Sequence, residues 1–201
     1  LFVAGLHWEA TGGQTKGLRV FVDLARRHPA ERFVAHGAGD FPDVVKWLHE
    51  VEAELPNFRF LGALSRGAAH RYAFCGAATL VMPTQIPEAF GLTVIEALSK
   101  GTPVVASDKG ALPELLRLKE SKEGRAGGLL DLNESVGIAA ASVDEMSAAL
   151  LQWRRYNRSF IREHARGHFH LSRTTAKMLQ HSWDLLRDLG LLPAHQDAAG
   201  S

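Results

Sequence analysis

A repeated coupling of short apolar runs to helical stretches constrains this chain most. "LFVAG" (1–5), "RFVAHG" (32–37), "FRFLG" (58–62), "TLVMPT" (79–84) and "PVVAS" (103–107) recur along it, with a weaker run, "GLLDL", at 128–132. Several of these are nearly continuous in apolar character, as strands covered on both faces are. Helical patterns fall at 16–27, 42–54, 65–74, 91–100 and 112–118. Strand–helix–strand repetition of this kind predicts an α/β fold: a Rossmann-like, doubly wound parallel sheet of about six strands with right-handed crossovers. Ligands of such sheets bind beyond the carboxyl ends of the strands. The loops that matter are therefore 5–16, 37–41, 62–65, 84–91 and 107–112.

Beyond residue 118 the pattern changes. "RLKESKEGRAGG" is polar and charged and reads as an exposed loop. A helix is expected at 143–155, followed by two basic, amphipathic helical stretches at 157–166 and 171–189. The chain thus reads as one domain over 1–189, with closing helices at 143–189 and a frayed tail at 190–201. It opens directly on a buried-strand pattern at Leu1, which suggests a piece of a longer protein.

Charge and cysteine content narrow the function. Lysine and arginine number 23 against 22 acidic residues, a net charge of +1, so there is no electrostatic footprint for nucleic acid. The single cysteine, Cys75, allows no disulfide within the chain and suggests a reducing compartment. No apolar run approaches the ~18 residues of a membrane span.

The stretch "IPEAFGLTVIEAL" (86–98) carries the chemistry. Glu88 and Glu96 bracket an apolar segment, where a carboxylate costs several kcal/mol unless paired or hydrogen-bonded. "TLVMPTQIPEAFGLTVIEALSKG" reads as strand, loop, helix and glycine stop, with the helix beginning at Gly91. A helix N-terminus offers free N–H groups and partial positive charge to a phosphate, and glycine lets the ligand approach closely. Glu96 lies five residues into that helix, roughly 7.5 Å along its axis. An anion site between two hydroxyl-binding carboxylates fits a nucleotide sugar.

"PEAFGLTVIEALSKGTPVVASDKGALPELL" closely resembles the nucleotide-sugar-binding core of group 1 retaining glycosyltransferases (glycosyltransferase family 4), which have the GT-B fold. The E-x7-E spacing, the Phe-Gly after the first glutamate, "GTPVVAS" and the following "GALPE" carry the resemblance. "FVAGLHWEATGGQTKG", "FVAHGAGD", "NFRFLGALSRGAAHRYAFCGAATLVMPT" and "FHLSRTTAKMLQHSWDLL" extend it over most of 1–189. It implies one half of a GT-B enzyme, the donor-binding domain, with a missing N-terminal acceptor domain as its partner. Glu96 would hold the ribose. Glu88, with the N–H groups of Phe90, Gly91 and Leu92, would hold the donor sugar and distal phosphate. Lys16 would pair with the diphosphate and stabilise the leaving group, so Glu88 and Lys16 are the catalytic candidates. Gly5 belongs to the opening glycine loop, and Leu64 and Ser65 would lie along the base. Leu6 stands where the family usually has an arginine, with His7 or Arg66 as candidate substitutes. No cofactor and no metal are expected, there being no D-x-D. The expected location is cytoplasmic, with contact to the inner face of a membrane only through the missing domain.

Other readings compete. Glu88 and Glu96 as hydrolytic acid and nucleophile would need carboxyls about 5–5.5 Å apart, which a helix start between them fits poorly. A non-catalytic nucleotide-sugar-binding module and a GT-B epimerase remain open. Lys16 could be an exposed helix-start lysine, Glu88 a solvated loop residue and Glu96 a structural cap. "HARGHFH" (164–170) has an i, i+4 histidine pair but no third ligand in frame, and "WRRYNRSFIREHARGH" reads as a solvated helix face or one meant for another domain.

Overall fold

The computed structural model describes residues 2–5, 15–37, 42–65, 67, 74–116 and 132–169. Among the described residues, strands and helices follow in this chain order: β1 (Phe2–Gly5), α1 (Leu18–Arg27), β2 (Phe33–His36), α2 (Pro42–Glu54), β3 (Phe58–Phe60), β4 (Thr79–Met82), α3 (Leu92–Ser99), β5 (Val104–Ser107), α4 (Leu112–Leu116), β6 (Gly137–Ala140), α5 (Val143–Leu150) and α6 (Arg158–Phe169). The strands form one sheet in the order β3-β2-β1-β4-β5-β6, every neighbouring pair parallel. The order reverses between β1 and β4. That is the switch point of a doubly wound sheet, where the loops diverge and leave a crevice.

Residues 1–164 form one compact unit; of a second unit, 165–201, the described residues are the last five of α6. The core of the first unit follows from helix and strand periodicities. Leu18, Phe21, Val22 and Ala25 recur at i, i+3, i+4 and i+7 along α1 and are fully buried. Phe21 meets Phe33 of β2 and Phe58 of β3 edge-on, at 5.4 and 6.2 Å between ring centroids. Val104, Val105 and Ala106 of β5 are fully buried, as the unbroken apolar run predicted. Asn57 fastens the end of α1: its amide donates to the carbonyls of Ala25, His28 and Glu31 at 2.9–3.1 Å.

The sixth strand of the described sheet is a segment that the apolar pattern did not mark. It lies at Gly137–Ala140, whereas Leu132 opens a 3-10 turn (Leu132–Glu134) and 128–131 fall outside the described residues. "GIAA" has little intrinsic strand preference; pairing in register with β5, from Val104↔Gly137 to Ser107↔Ala140, makes it a strand. The helix expected over 143–155 stops at Leu150, and 153–155 form a 3-10 turn. The helix expected at 65–74 falls mostly outside the described residues, and the one at 171–189 and the tail at 190–201 wholly so.

Candidate functional site

Residues 15–17, just before α1, meet the loop after β4 at the switch point, and the loop after β5 joins them there. Gly17 caps α1 with φ 75°, and a Cβ there would stand 1.7 Å from the Pro83 carbonyl oxygen. Only glycine lets the start of α1 press so close to the end of β4. Hydrogen bonds reinforce the contact: the Gln85 N–H donates to the Thr15 carbonyl at 2.7 Å, and the Thr84 hydroxyl donates to the same carbonyl at 3.1 Å. Lys16, between Thr15 and Gly17, is thereby carried to the β4 loop. Its Nζ lies 3.0 Å from Glu88 Oε2, with the side chains 26% and 19% exposed.

The loop after β5 holds Glu88 from the other side. Glu88 bridges Gly110 in strand fashion, and the Ala111 N–H donates to the Glu88 carbonyl at 2.8 Å. A Cβ on Gly110 would lie 2.3 Å from that carbonyl oxygen. Lys109 Nζ donates to the Gln85 carbonyl at 3.1 Å.

Gly91 is the N-cap of α3, as the glycine in "FGLT" suggested, with φ 76° and no side-chain cap. The Gly91 carbonyl accepts from the N–H groups of Val94 and Ile95. The first N–H groups of a helix have no acceptor within it and favour an anion. Val94, Ala97 and Leu98 are the buried face of α3. Glu96 is half-buried beside that face, not within it. Phe90 and Leu92 are 57% and 65% exposed at the helix start, leaving apolar surface beside Glu88.

The other sequence-derived candidates stand along the same carboxyl-end rim. Gly5 ends β1, in register with His36 of β2. Leu64, half-buried, and Ser65, exposed, follow edge strand β3, three places from β4 in the sheet. Leu6, His7 and Arg66 lie outside the described residues. Sequence reasoning passed over Gln85 and Lys109, although both fall in loops it had marked. Among the described residues no cluster of histidine, cysteine and carboxylate side chains could hold a metal.

This arrangement offers an ammonium to an anionic oxygen, a carboxylate to hydroxyls, and a helix start to a phosphate. A family model described as "Glycosyl transferases group 1" matches residues 1–152. The chain belongs to that family. Among its group 1 relatives, phosphatidyl-myo-inositol mannosyltransferase of Mycolicibacterium smegmatis is 30% identical over 139 residues, 69% of this chain and 34% of that protein. D-inositol 3-phosphate glycosyltransferase of a Nocardioides species is 39% identical over 79 residues, 39% of this chain and 16% of that protein. The chain thus spans about a third, or less, of these curated relatives. Two solved structures share the fold. Anabaena HepE in complex with UDP gives a TM-score of 0.64 at 22% identity, covering 90% of this chain and 49% of HepE. Sucrose-phosphate synthase from Thermosynechococcus elongatus gives 0.67 at 19% identity, covering 93% and 46%. The group 1 domain has the fold of one half of a GT-B glycosyltransferase.

Proposed function

We propose that this chain is the donor-binding half of a retaining glycosyltransferase, moving a sugar from a nucleotide-diphosphate sugar to an acceptor held by a second domain. One observation carries the reading: the Lys16 ammonium and Glu88 carboxylate stand 3.0 Å apart at the switch point of the sheet, with Glu88 three residues ahead of Gly91, the N-cap of α3, which supplies no side-chain cap. The family's solved neighbours support it, since HepE was crystallised with UDP and with UDP-glucose.

In this reading the diphosphate settles on Lys16 and on the N–H groups of Phe90, Gly91 and Leu92. Those donors oppose the negative charge that grows on the leaving group. Glu88 accepts hydrogen bonds from the donor sugar and positions it; it does not attack. Glu96 takes the ribose hydroxyls, Leu64 and Ser65 lie along the base, and Gly5 lies against the nucleotide sugar. The acceptor, and the closure that excludes water from the cleft, belong to the second domain. No metal is required, because the phosphate charge is met by Lys16 and the helix start. No helix among the described residues is long and apolar enough to cross a membrane. We place the reaction in the cytoplasm, at a membrane only through the second domain.

Calorimetry with UDP, GDP, ADP and their sugars tests the binding half of this. We expect one nucleotide and its sugar to bind, and EDTA to leave that binding intact. A transfer assay with and without the second domain tests the rest. Transfer by the chain alone would overturn the division of labour, and loss of binding on chelation would overturn the metal-free account.

A further inference from the structure

Gln85 is a junction of the site's loops. Its N–H donates to the Thr15 carbonyl at 2.7 Å, tying it to the loop of Lys16, and its side-chain amide donates to the Pro83 carbonyl at 2.7 Å. Its own carbonyl accepts from the Lys109 ammonium at 3.1 Å. Lys109 stands on the turn after β5, and its backbone N–H donates to the Ser107 carbonyl at 2.9 Å. The next two residues of that turn, Gly110 and Ala111, grip the backbone of Glu88. One turn therefore holds the Glu88 loop at two points: upstream by the Lys109 side chain, and at Glu88 by backbone.

An exposed lysine ordinarily keeps its flexible stem in water, where its rotamer freedom is largest. Lys109 instead folds back over the β4 loop and spends one of its three N–H donors on a backbone carbonyl. That loop lies between β4 and α3, with neither strand nor helix pairing to stiffen it apart from the Glu88–Gly110 bridge. Without the Lys109 bond, the stretch ahead of Glu88 would keep its ties to Thr15 and lose its upstream tie to the β5 turn.

We propose that Lys109 is a positioning residue for Glu88, acting through the Gln85 carbonyl. The proposal rests on the reading of Glu88 as the contact for the donor sugar. Lys109 does not touch the diphosphate in this account, so its loss moves the handling of the sugar and leaves the nucleotide's grip unchanged.

The experiment compares Lys109→Met, which keeps the stem and removes the donors, with Lys109→Arg, which keeps a cationic donor, in the whole polypeptide that contains this chain. Amide hydrogen exchange without ligand reads the tether directly. Exchange across residues 84–88 should rise about tenfold in Lys109→Met and return toward wild type in Lys109→Arg, with melting curves superimposed. Transfer from the nucleotide sugar should fall about tenfold in Lys109→Met, while affinity for the bare nucleoside diphosphate stays within about twofold. Wild-type exchange and turnover in Lys109→Met would overturn the proposal. So would an equal loss of affinity for the nucleoside diphosphate and its sugar, which would make Lys109 a phosphate contact. A wild-type protein that binds neither would overturn the functional reading instead, and the exchange measurement would still decide whether Lys109 sets the loop.

Discussion

Lys16 Nζ and Glu88 Oε2 stand 3.0 Å apart across 72 positions of sequence. Neither group is fully buried, so the pair contributes little to stability: an ion pair of this exposure is worth about 0–1 kcal/mol. Its consequence lies in binding. In the proposed function, an incoming diphosphate would compete with Glu88 for the Lys16 ammonium, and releasing Glu88 would free its carboxylate for the donor's hydroxyls. Lys16→Met should therefore shift the melting temperature by only a few degrees at most, about what 1 kcal/mol does in a domain of this size. The same change should weaken binding of the nucleoside diphosphate about tenfold, because a charge-assisted hydrogen bond is lost. Calorimetric titration beside a thermal melt checks both, and unchanged affinity would remove Lys16 from the diphosphate site.

The approach of these two residues depends on a glycine. At Gly17 a Cβ would lie 1.7 Å from the Pro83 carbonyl oxygen, whereas at Gly62, also left-handed at φ 63°, nothing stands within 4 Å. Gly62→Ala should cost only the left-handed strain, about 1–2 kcal/mol. Gly17→Ala adds a backbone collision and should cost at least about 3 kcal/mol. Urea unfolding of the two variants side by side tests the difference; equal losses would mean that α1 can move away from β4 without penalty.

The parts of this fold that were legible in the sequence share a cause. β1, β2, β4 and β5 are short apolar runs bounded by turns, and α2 spans Pro42–Glu54 as its pattern predicted, with proline at the first helical position. Gly91 reads as a helix start because an apolar periodicity begins just after it. β6 was not legible, because "GIAA" is a strand only through its neighbour β5. The end of α5 at Leu150 was hidden for a related reason: the amphipathic pattern runs on into Trp153, which packs on the core from a 3-10 turn. Lys16 and Glu88 could be named from the family resemblance, but their contact comes from the close approach of Gly17 to Pro83, which leaves no local signal. Gln85 and Lys109 are joined by a side-chain-to-backbone bond between exposed loops, and such bonds impose no periodicity.

The end of α1 carries a pH dependence of its own. His28 Nε2 is 2.7 Å from Ser147 Oγ of α5, and its ring stacks on Phe33 at 6.5 Å. Burial holds its pKa below the usual 6.5; Glu31 opposes this and Arg27 adds to it. A folded-state pKa below the unfolded value means that the unfolded chain binds the proton more readily. The stability His28 contributes is therefore present above about pH 6.5 and declines as pH falls through the lower folded-state value. His28→Gln should flatten the decline in melting temperature between pH 7.5 and 5 relative to wild type. Parallel curves for the two proteins would show that His28 takes up its proton as easily folded as unfolded.

Glu96 gives the sharpest test of the site. It lies on α3, half-buried beside the face formed by Val94, Ala97 and Leu98, so exchanging its carboxylate for an amide removes charge with almost no change of shape. Helix α3 is held by that apolar face and by the backbone turn at Gly91, whose carbonyl accepts from Val94 and Ile95. Glu96→Gln should therefore melt within a few degrees of wild type. If Glu96 accepts hydrogen bonds from the ribose, each such bond to a charged acceptor contributes about 1.5–3 kcal/mol, so nucleotide affinity should fall roughly tenfold or more. The 2′-deoxy nucleotide supplies the control: having lost one of the same hydroxyls, it should bind wild type more weakly and be less affected by the substitution. Equal weakening of the ribose and deoxyribose nucleotides by Glu96→Gln would place the carboxylate away from that hydroxyl, and full affinity in a natively folded Glu96→Gln would remove Glu96 from the site.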